Sequence, residues 1–399
     1  MKKISIIFSI FFLLIFSFSL SMDDNTAIIS ASNNAFSIDL YKKLITEEKG
    51  NIFISPYSIS SALAMTYAGA RGNTEKQMSK VLYFNLPQED IHKAFSSLNA
   101  YFNRPNKSYQ LAIANALWGQ ANYPFQKEFI DLLNKYYEAG FNEVDFVNEE
   151  NREKARLTIN KWGEDKTNNK IKELIHPEDI SALTRLILVN AIYFKGKWQN
   201  QFDPKETRDM PFNLENKKKI NVPMMHQEGK FNYTEDEKVQ VLELPYSEKE
   251  LSMVIFLPKE DISLSDFEKE LSIERVNKLL SNLSQEKVDV YIPKFKIEKR
   301  YILNKILIDL GMSDAFDMML ADFSGMTGSK DLYISKVIHQ SFVEVNEEGI
   351  EAAAATAVIM SGKSIAPMII EFKADRPFLF IIRDIKTNTI LFMGRFVEP

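Results

Sequence analysis

Apolar positions along the chain recur with two periods, and each period predicts a different element. Ile28, Ile29, Phe36, Leu40 and Leu44 return at three- and four-residue spacing, which predicts an amphipathic helix over 26–47. Asn51-Ile-Phe-Ile-Ser reads as a short strand stopped by Pro56, after which Ser58 is placed to cap a helix rich in Ala and Ser. Thr74 with Gln77 three residues on has the pattern of a capping box. Further along, the pattern predicts helix over 89–105, strand over 109–119, helix over 125–139, strand over 140–147 and a polar helix over 149–165 that turns Leu157 and Trp162 inward. Leu186 to Phe194 is apolar on both faces and broken only by Asn190, as in a strand buried on both sides. Strands dominate from 209 onward: 239–244 and 251–257 form a hairpin, helical spacing covers 263–283, a strand covers 287–297 and a helix 299–311. Two very apolar strands, beginning at Phe378 and Ile390, close the chain. Helices and strands alternate without a βα period, so the fold class is α+β.

One stretch resists this parsing. Residues 347–364 read EEGIEAAAATAVIMSGKS and stand where a connection belongs, yet they lack the Pro, Asn and Asp that loops are built from. Ala352 to Ala355 lead into Thr356, Ala357, Val358, Ile359 and Met360, an ending suited to a strand.

Composition narrows the possibilities. With 399 residues, 45% hydrophobic and 26% charged, the chain is globular, and no linker divides residues 22–399, which are read as a single domain. Lys2 and Lys3 before an apolar run from Ile4 to Phe18, with small Ser19 and Ser21 following, have the layout of a secretory signal over 1–21; a membrane anchor is the other reading. The expectation is a secreted, extracellular monomer with no membrane contact after cleavage. Losing the two lysines moves the net charge from −5 to −7, which disfavours nucleic acid. The absence of cysteine excludes disulfides and thiolate metal sites, and no metal or cofactor is expected. The triplets at Asn106, Asn232 and Asn282 are glycan acceptors only in an exported eukaryotic chain.

Catalytic chemistry is not visible. There is no GxSxG, HExxH or phosphate-binding glycine loop, and His92, His176, His226 and His339 are scattered, so the chain is not read as an enzyme. His339, inside an apolar run, reads as a satisfied core histidine with Asn190 as its neighbour. Lys217 to Lys219 read as solvated charges at a turn.

Several long motifs carry a resemblance: NIFISPYSISSALAMTYAGARGNTEKQM, LVNAIYFKGKW, EEGIEAAAATA, ADRPFLFII and ILFMGRFVEP are similar to the serpins, the serine protease inhibitor family. The resemblance implies three β-sheets, about nine helices and an exposed reactive-centre loop over about 347–371. It implies a suicide inhibitor: a protease cuts the loop, stays acyl-linked, and is carried along as the loop inserts into the central sheet, an insertion that is a known example of strand addition. Fourteen residues on from Gly349, the reactive bond falls at Lys363–Ser364, which implies a trypsin-like serine protease as covalent partner; bonds near Met360 suit elastase or chymotrypsin-like proteases as a secondary activity. The hinge corresponds to Glu347, Gly349, Ile350, Glu351, Ala352, Ala353, Ala354, Ala355 and Thr356. A shutter corresponds to Ser55, Ser58, Asn190 and His339, and a breach, where the loop first enters, to Trp198, Lys294 and Glu347, with an ion pair between Lys294 and Glu347. Ile350 departs from the Thr or Ser usual in inhibitory members, and its bulk slows insertion. Lys93, Arg104 and Lys107 are too scattered for a strong heparin site. A non-inhibitory carrier or chaperone is the alternative function.

Overall fold

The computed structural model describes residues 24–104, 109–137, 140–348 and 369–399. The chain begins with α1 (Asp24–Glu47), β1 (Ile52–Ile54), α2 (Pro56–Tyr67), α3 (Gly72–Val81) and α4 (Gln88–Asn103). α2 starts earlier than Ser58 would place it. Pro56 occupies the first helical turn, where a missing N–H costs nothing, and Ser55 is the cap: its Oγ accepts the Ser58 backbone N–H at 3.2 Å. Every residue of α2 is buried, which its Ala and Ser content allows. α3 likewise begins at Gly72, before Thr74, and no capping box forms. Thr74 Oγ1 instead accepts from the Asp322 backbone at 2.9 Å and Gln77 bonds Asp314, so both side chains tie α3 to a distant turn.

β2 (Gln110–Gln120), α5 (Lys127–Tyr137), β3 (Phe141–Val144), α6 (Glu149–Lys166) and β4 (Leu186–Lys195) come next. α6 rests on β2 and β3. The stripe it buries is Ala155, Ile159 and Gly163, four residues apart, with Asn160 beside them. Leu157, expected inside, is 53% exposed, because the close approach selects the face with the smaller side chains. Trp162 does turn toward the sheet, edge-on to Trp118 at 6.1 Å.

The second half comprises β5 (Arg208–Asn213), β6 (Lys219–Glu235), β7 (Val239–Pro245), β8 (Leu251–Pro258), α7 (Leu264–Lys269), α8 (Ile273–Ser281), β9 (Ser284–Pro293), β10 (Phe295–Ile302), α9 (Asn304–Leu310), α10 (Ser324–Thr327), β11 (Lys336–Val345), β12 (Ile370–Lys373), β13 (Phe378–Asp384) and β14 (Ile390–Phe396). The single strand expected over 287–297 is two, separated at Lys294, and β10 runs on to Ile302, so the following helix begins only at Asn304.

Among the described residues the strands form two hydrogen-bonded sheets. One follows the order β1-β14-β13-β8-β7-β6-β9-β12, with β5 added on β6. The 17-residue β6 carries β5 at its start, β9 along its middle and β7 at its end, so two of the three expected sheets are continuous through it. The other sheet runs β10-β11-β4-β2-β3. Phe53 of β1 lies flat on Phe392 at 5.1 Å in the core between these layers.

β1 and β13 flank β14 closely at Gly394. A Cβ there would stand 2.5 Å from the Ile52 carbonyl oxygen and 2.9 Å from the Phe380 ring, and a strand backbone cannot yield. Gly394→Ala is therefore expected to cost about 1–3 kcal/mol of stability, seen as a lower urea midpoint with an unchanged slope.

Candidate functional site

The five-stranded sheet has a seam at its centre. β11 pairs with β4 in parallel, Lys336–Val343 against Ile187–Phe194, while β10 runs antiparallel to β11 and β2 antiparallel to β4. Register then decides what lies behind the seam. Asn115 stands opposite Asn190, Asn190 opposite His339, and His339 opposite Tyr301, so these side chains form one row across β2, β4, β11 and β10. Strand pleating puts the row on a single face. Ser55 and Ser58 meet it from the start of α2.

The hydrogen bonds fix the protonation of this cluster. The Ser55 backbone N–H donates to His339 Nε2 at 3.1 Å; an amide can only donate there, so Nδ1 carries the ring proton and gives it to Asn190 Oδ1. The Asn190 amino group bonds Ser58 Oγ and Asn115 Oδ1, and Ser58 Oγ donates to Asn115 Oδ1 at 3.1 Å. Ser55 Oγ closes the far end on the Leu391 carbonyl at 2.7 Å. Ser341 Oγ donates to the Phe53 carbonyl at 2.6 Å, a second tie between β11 and β1, and the Tyr301 ring stacks on His339. The four residues singled out from sequence thus lie together, and Asn115, Ser341 and Tyr301 join them. The sequence does mark Asn115: within LAIANALWG it is the lone amide, as Asn190 is in its own run.

At the upper end of the seam β11 continues into Asn346, Glu347 and Glu348. The Trp198 indole N–H donates to the Asn346 carbonyl at 2.9 Å, and Trp198 itself stacks on Tyr246 at 4.6 Å. Glu347 is buried and accepts from Lys294 at 2.7 Å and from Thr207 Oγ1 at 2.8 Å. Burial works to raise the Glu347 pKa, but the bonds from Lys294 and Thr207 outweigh it and hold the carboxyl below its usual range. Thr207 was not expected; nothing in its local pattern marks it. Gly349, Ile350, Glu351, Ala352 to Ala355, Thr356, Lys363 and Ser364 lie outside the described residues, as do residues 1–23, Asn106 and Lys107. Asn232 is within β6 with its amide donating to Glu243 at 2.8 Å, and Asn282 is the C-cap of α8.

Burial pushes His339 down to about 3 and His92, bonded to the Tyr137 hydroxyl, down to about 4. An unfolded chain takes up a proton on each near pH 6.5, so between that value and the native one the unfolded state binds more protons. The stability these neutral rings supply is complete above about pH 6.5 and is lost as pH falls toward 3. His339→Gln is expected to flatten this acid slope while lowering stability at pH 7 by about 1–3 kcal/mol, since either the Ser55 N–H or Asn190 Oδ1 loses its partner. Equilibrium unfolding across a pH series measures both effects, and the slope that remains belongs in part to His92.

Known proteins give the arrangement a context. Residues 31–399 match the family model for serpin (serine protease inhibitor). Leukocyte elastase inhibitor of Equus caballus is 47% identical over 380 residues, covering 93% of this chain and 99% of the relative; serpin B8 of Homo sapiens is 46% identical over 383 residues, covering 95% and 100%. Among solved structures, uncleaved ovalbumin matches with a TM-score of 0.85 at 32% identity, over 93% of this chain and 100% of that one. Maspin matches with a TM-score of 0.87 at 31% identity, over 94% and 100%. Two expectations fall to these relatives. The trypsin-like target rested on Lys363 alone, whereas several relatives are named for inhibiting leukocyte elastase, so that target is withdrawn. The secreted, extracellular location is withdrawn as well: the alignments account for 99 to 100% of these relatives' length, and they have no counterpart to a leader over 1–21. The α+β fold and the long shared motifs stand, no catalytic group is called for, and the chain is a non-enzymatic member of the serpin family of serine protease inhibitors.

Proposed function

We propose that this serpin inhibits an elastase-like serine protease by offering its 349–368 segment as substrate and then drawing the cut segment into the seam between β4 and β11. The observation that carries the reading is the seam itself. A strand that turns back after Glu348 runs antiparallel to β11, and since β4 is parallel to β11 it runs antiparallel to β4 as well. Insertion would thus replace one parallel pairing with two antiparallel ones, the better-bonded arrangement.

Length and chemistry agree with this. The seam is eight residue pairs long, about 26 Å at 3.3 Å per residue. Ile350 to Met360 is enough chain to fill it. Alternation would give one face of the new strand Ile350, Ala352, Ala354, Thr356, Val358 and Met360, with no charge, against a buried cluster that is itself neutral. In this reading Ser55, Ser58, Asn190 and His339 hold the seam shut as one bonded unit, and Glu347, Lys294 and Trp198 fix the direction in which the first residues turn.

An elastase-type specificity pocket accepts small or apolar side chains, which favours a cut after Met360 and leaves Ile350 to Met360 on the inserting side. The protease serine oxygen would form an ester with the carbonyl of the residue before the cut, the new amine would leave with the C-terminal piece, and insertion would outrun water at the ester. Ile350 is the residue that sets this race, because it must pass first between β4 and β11.

Mixing the protein with leukocyte elastase is expected to yield a complex that survives SDS, with the released C-terminal fragment beginning after an apolar residue by mass. Complete cleavage without complex would sink the inhibitory reading and favour the carrier. Ala354→Arg, which puts a charge on the inserting face, is expected to convert the protein to a plain substrate. Ile350→Thr is expected to raise the fraction of encounters that end as complex.

A further inference from the structure

Between α9 and α10 the chain makes a turn that the inhibitory reading does not use. Met318, Met319 and Leu320 stand there 64%, 84% and 59% exposed, the one run of three exposed large apolar side chains among the described residues. Single apolar side chains at a surface are ordinary, but a contiguous group asks for a cause.

The exposure is not that of a loose loop. Ala315 and Ala321 are buried on either side of the tip, and Phe323 behind them is buried completely. Asp317 holds the turn from within. Its Oδ1 accepts the Met319 N–H at 2.7 Å and the Leu320 N–H at 3.2 Å, and its carbonyl accepts the Ala321 N–H at 2.9 Å. Both ends of the turn are fastened to α3. Asp314 accepts from Asn73 Nδ2 at 2.6 Å and from Gln77 Nε2 at 2.8 Å. Asp322 donates its N–H to Thr74 Oγ1 at 2.9 Å and accepts the Arg71 N–H on its carbonyl at 2.8 Å. None of these bonds uses the side chain of Met318, Met319 or Leu320, so the tip keeps its shape whatever those side chains become.

Sulfur chemistry singles this turn out. Every other methionine among the described residues is buried, apart from the half-buried Met210. A buried thioether meets a dissolved oxidant only when the fold opens around it, so its rate falls by the opening equilibrium constant. A thioether standing in solvent reacts without that delay, and its sulfoxide is polar where the parent side chain was apolar.

We propose that Met318 and Met319 form an oxidation site for peroxide: in the folded protein both become sulfoxides ahead of every other described methionine, and the tip passes from apolar to polar while its backbone stays in place. The thioether sulfur attacks one oxygen of hydrogen peroxide. An S–O bond forms, the O–O bond breaks, and the departing hydroxide takes the proton of the transferred oxygen and leaves as water. Sulfur gives up two electrons and the peroxide receives them. Methionine sulfoxides are returned to thioethers by sulfoxide reductases, so the change is reversible. Oxidant thereby sets whether this face of the molecule offers an apolar contact. The site goes beyond the inhibitory reading and does not rest on it, since no residue that holds the turn belongs to the seam cluster or to the group around Glu347.

The test is exposure of the folded protein to hydrogen peroxide, quenched at intervals with free methionine, digested and read by mass. Met318 and Met319 are each expected to gain one oxygen at least about tenfold faster than Met65, Met253 or Met393, because those three must wait for an opening. Once the pair is oxidised, retention on a phenyl resin is expected to fall and the urea midpoint to stay where it was. Met318→Leu with Met319→Leu keeps the tip apolar but removes both sulfurs, and its retention is expected to hold through the same peroxide dose. This variant also separates the tip from methionines outside the described residues. Equal oxidation rates at the buried methionines, unchanged retention of the unsubstituted protein, or the same loss of retention in the double variant would overturn the site. A urea midpoint that falls on oxidation of the unsubstituted protein but not of the double variant would overturn the claim that the backbone stays in place.

Discussion

Everything in the five-stranded sheet depends on one parallel pairing. β4 and β11 lie side by side in the direction that bonds less well, and what keeps them there is a row of neutral polar groups rather than packing alone. Because Asn115, Asn190 and His339 come from three neighbouring strands and share their bonds with Ser55 and Ser58, no member can shift by itself. A buried network in which each member satisfies the next is rigid until it fails, and it then fails as a unit. On the insertion proposed above, such behaviour would suit a sheet that stays shut until the segment after Glu348 is cut.

The same economy appears at the seam's upper end. Glu347 is a buried carboxylate that keeps its charge because Lys294 and Thr207 both bond it. Lys294 is the residue at which β9 and β10 part, so the ion pair links the end of β11 to the junction of the two sheets. Trp198 adds a bond to the carbonyl just before it. The direction in which the chain leaves β11 is thereby set by three elements that are far apart in sequence.

Much of this was legible in the sequence, and the limits have physical causes. Period-two and period-3.6 patterns report which face is buried, so long elements such as β2, β4 and α6 were visible, as were His339 and Asn190, each a lone polar side chain in an apolar run. Pairing register is not written in either pattern, which is why Asn115 was passed over although it stands directly opposite Asn190. Thr207 and Ser341 were invisible for the same reason. Where two local signals compete, the stronger wins in the fold: Pro56 fixes the start of α2 ahead of Ser58, and Ala155, Ile159 and Gly163 offer α6 a closer approach than the bulkier Leu157 does. The target was misread from one lysine and the location from a short basic and apolar count. Both are properties of partners and cellular machinery, which local patterns constrain weakly.

The strand that forms one wall of the seam is also the strand from which residues 349 onward emerge, with only Asn346 to Glu348 between. A segment that fills the seam from this position is tethered to it, and short tethers correspond to effective concentrations on the order of millimolar. A strand from another molecule has no such advantage and must compete at its actual concentration. On the insertion proposed above, the covalent continuity of β11 would act as a concentration filter: in dilute solution the seam would open to its own chain's segment, and only crowding of many copies would let one molecule's segment enter another's sheet.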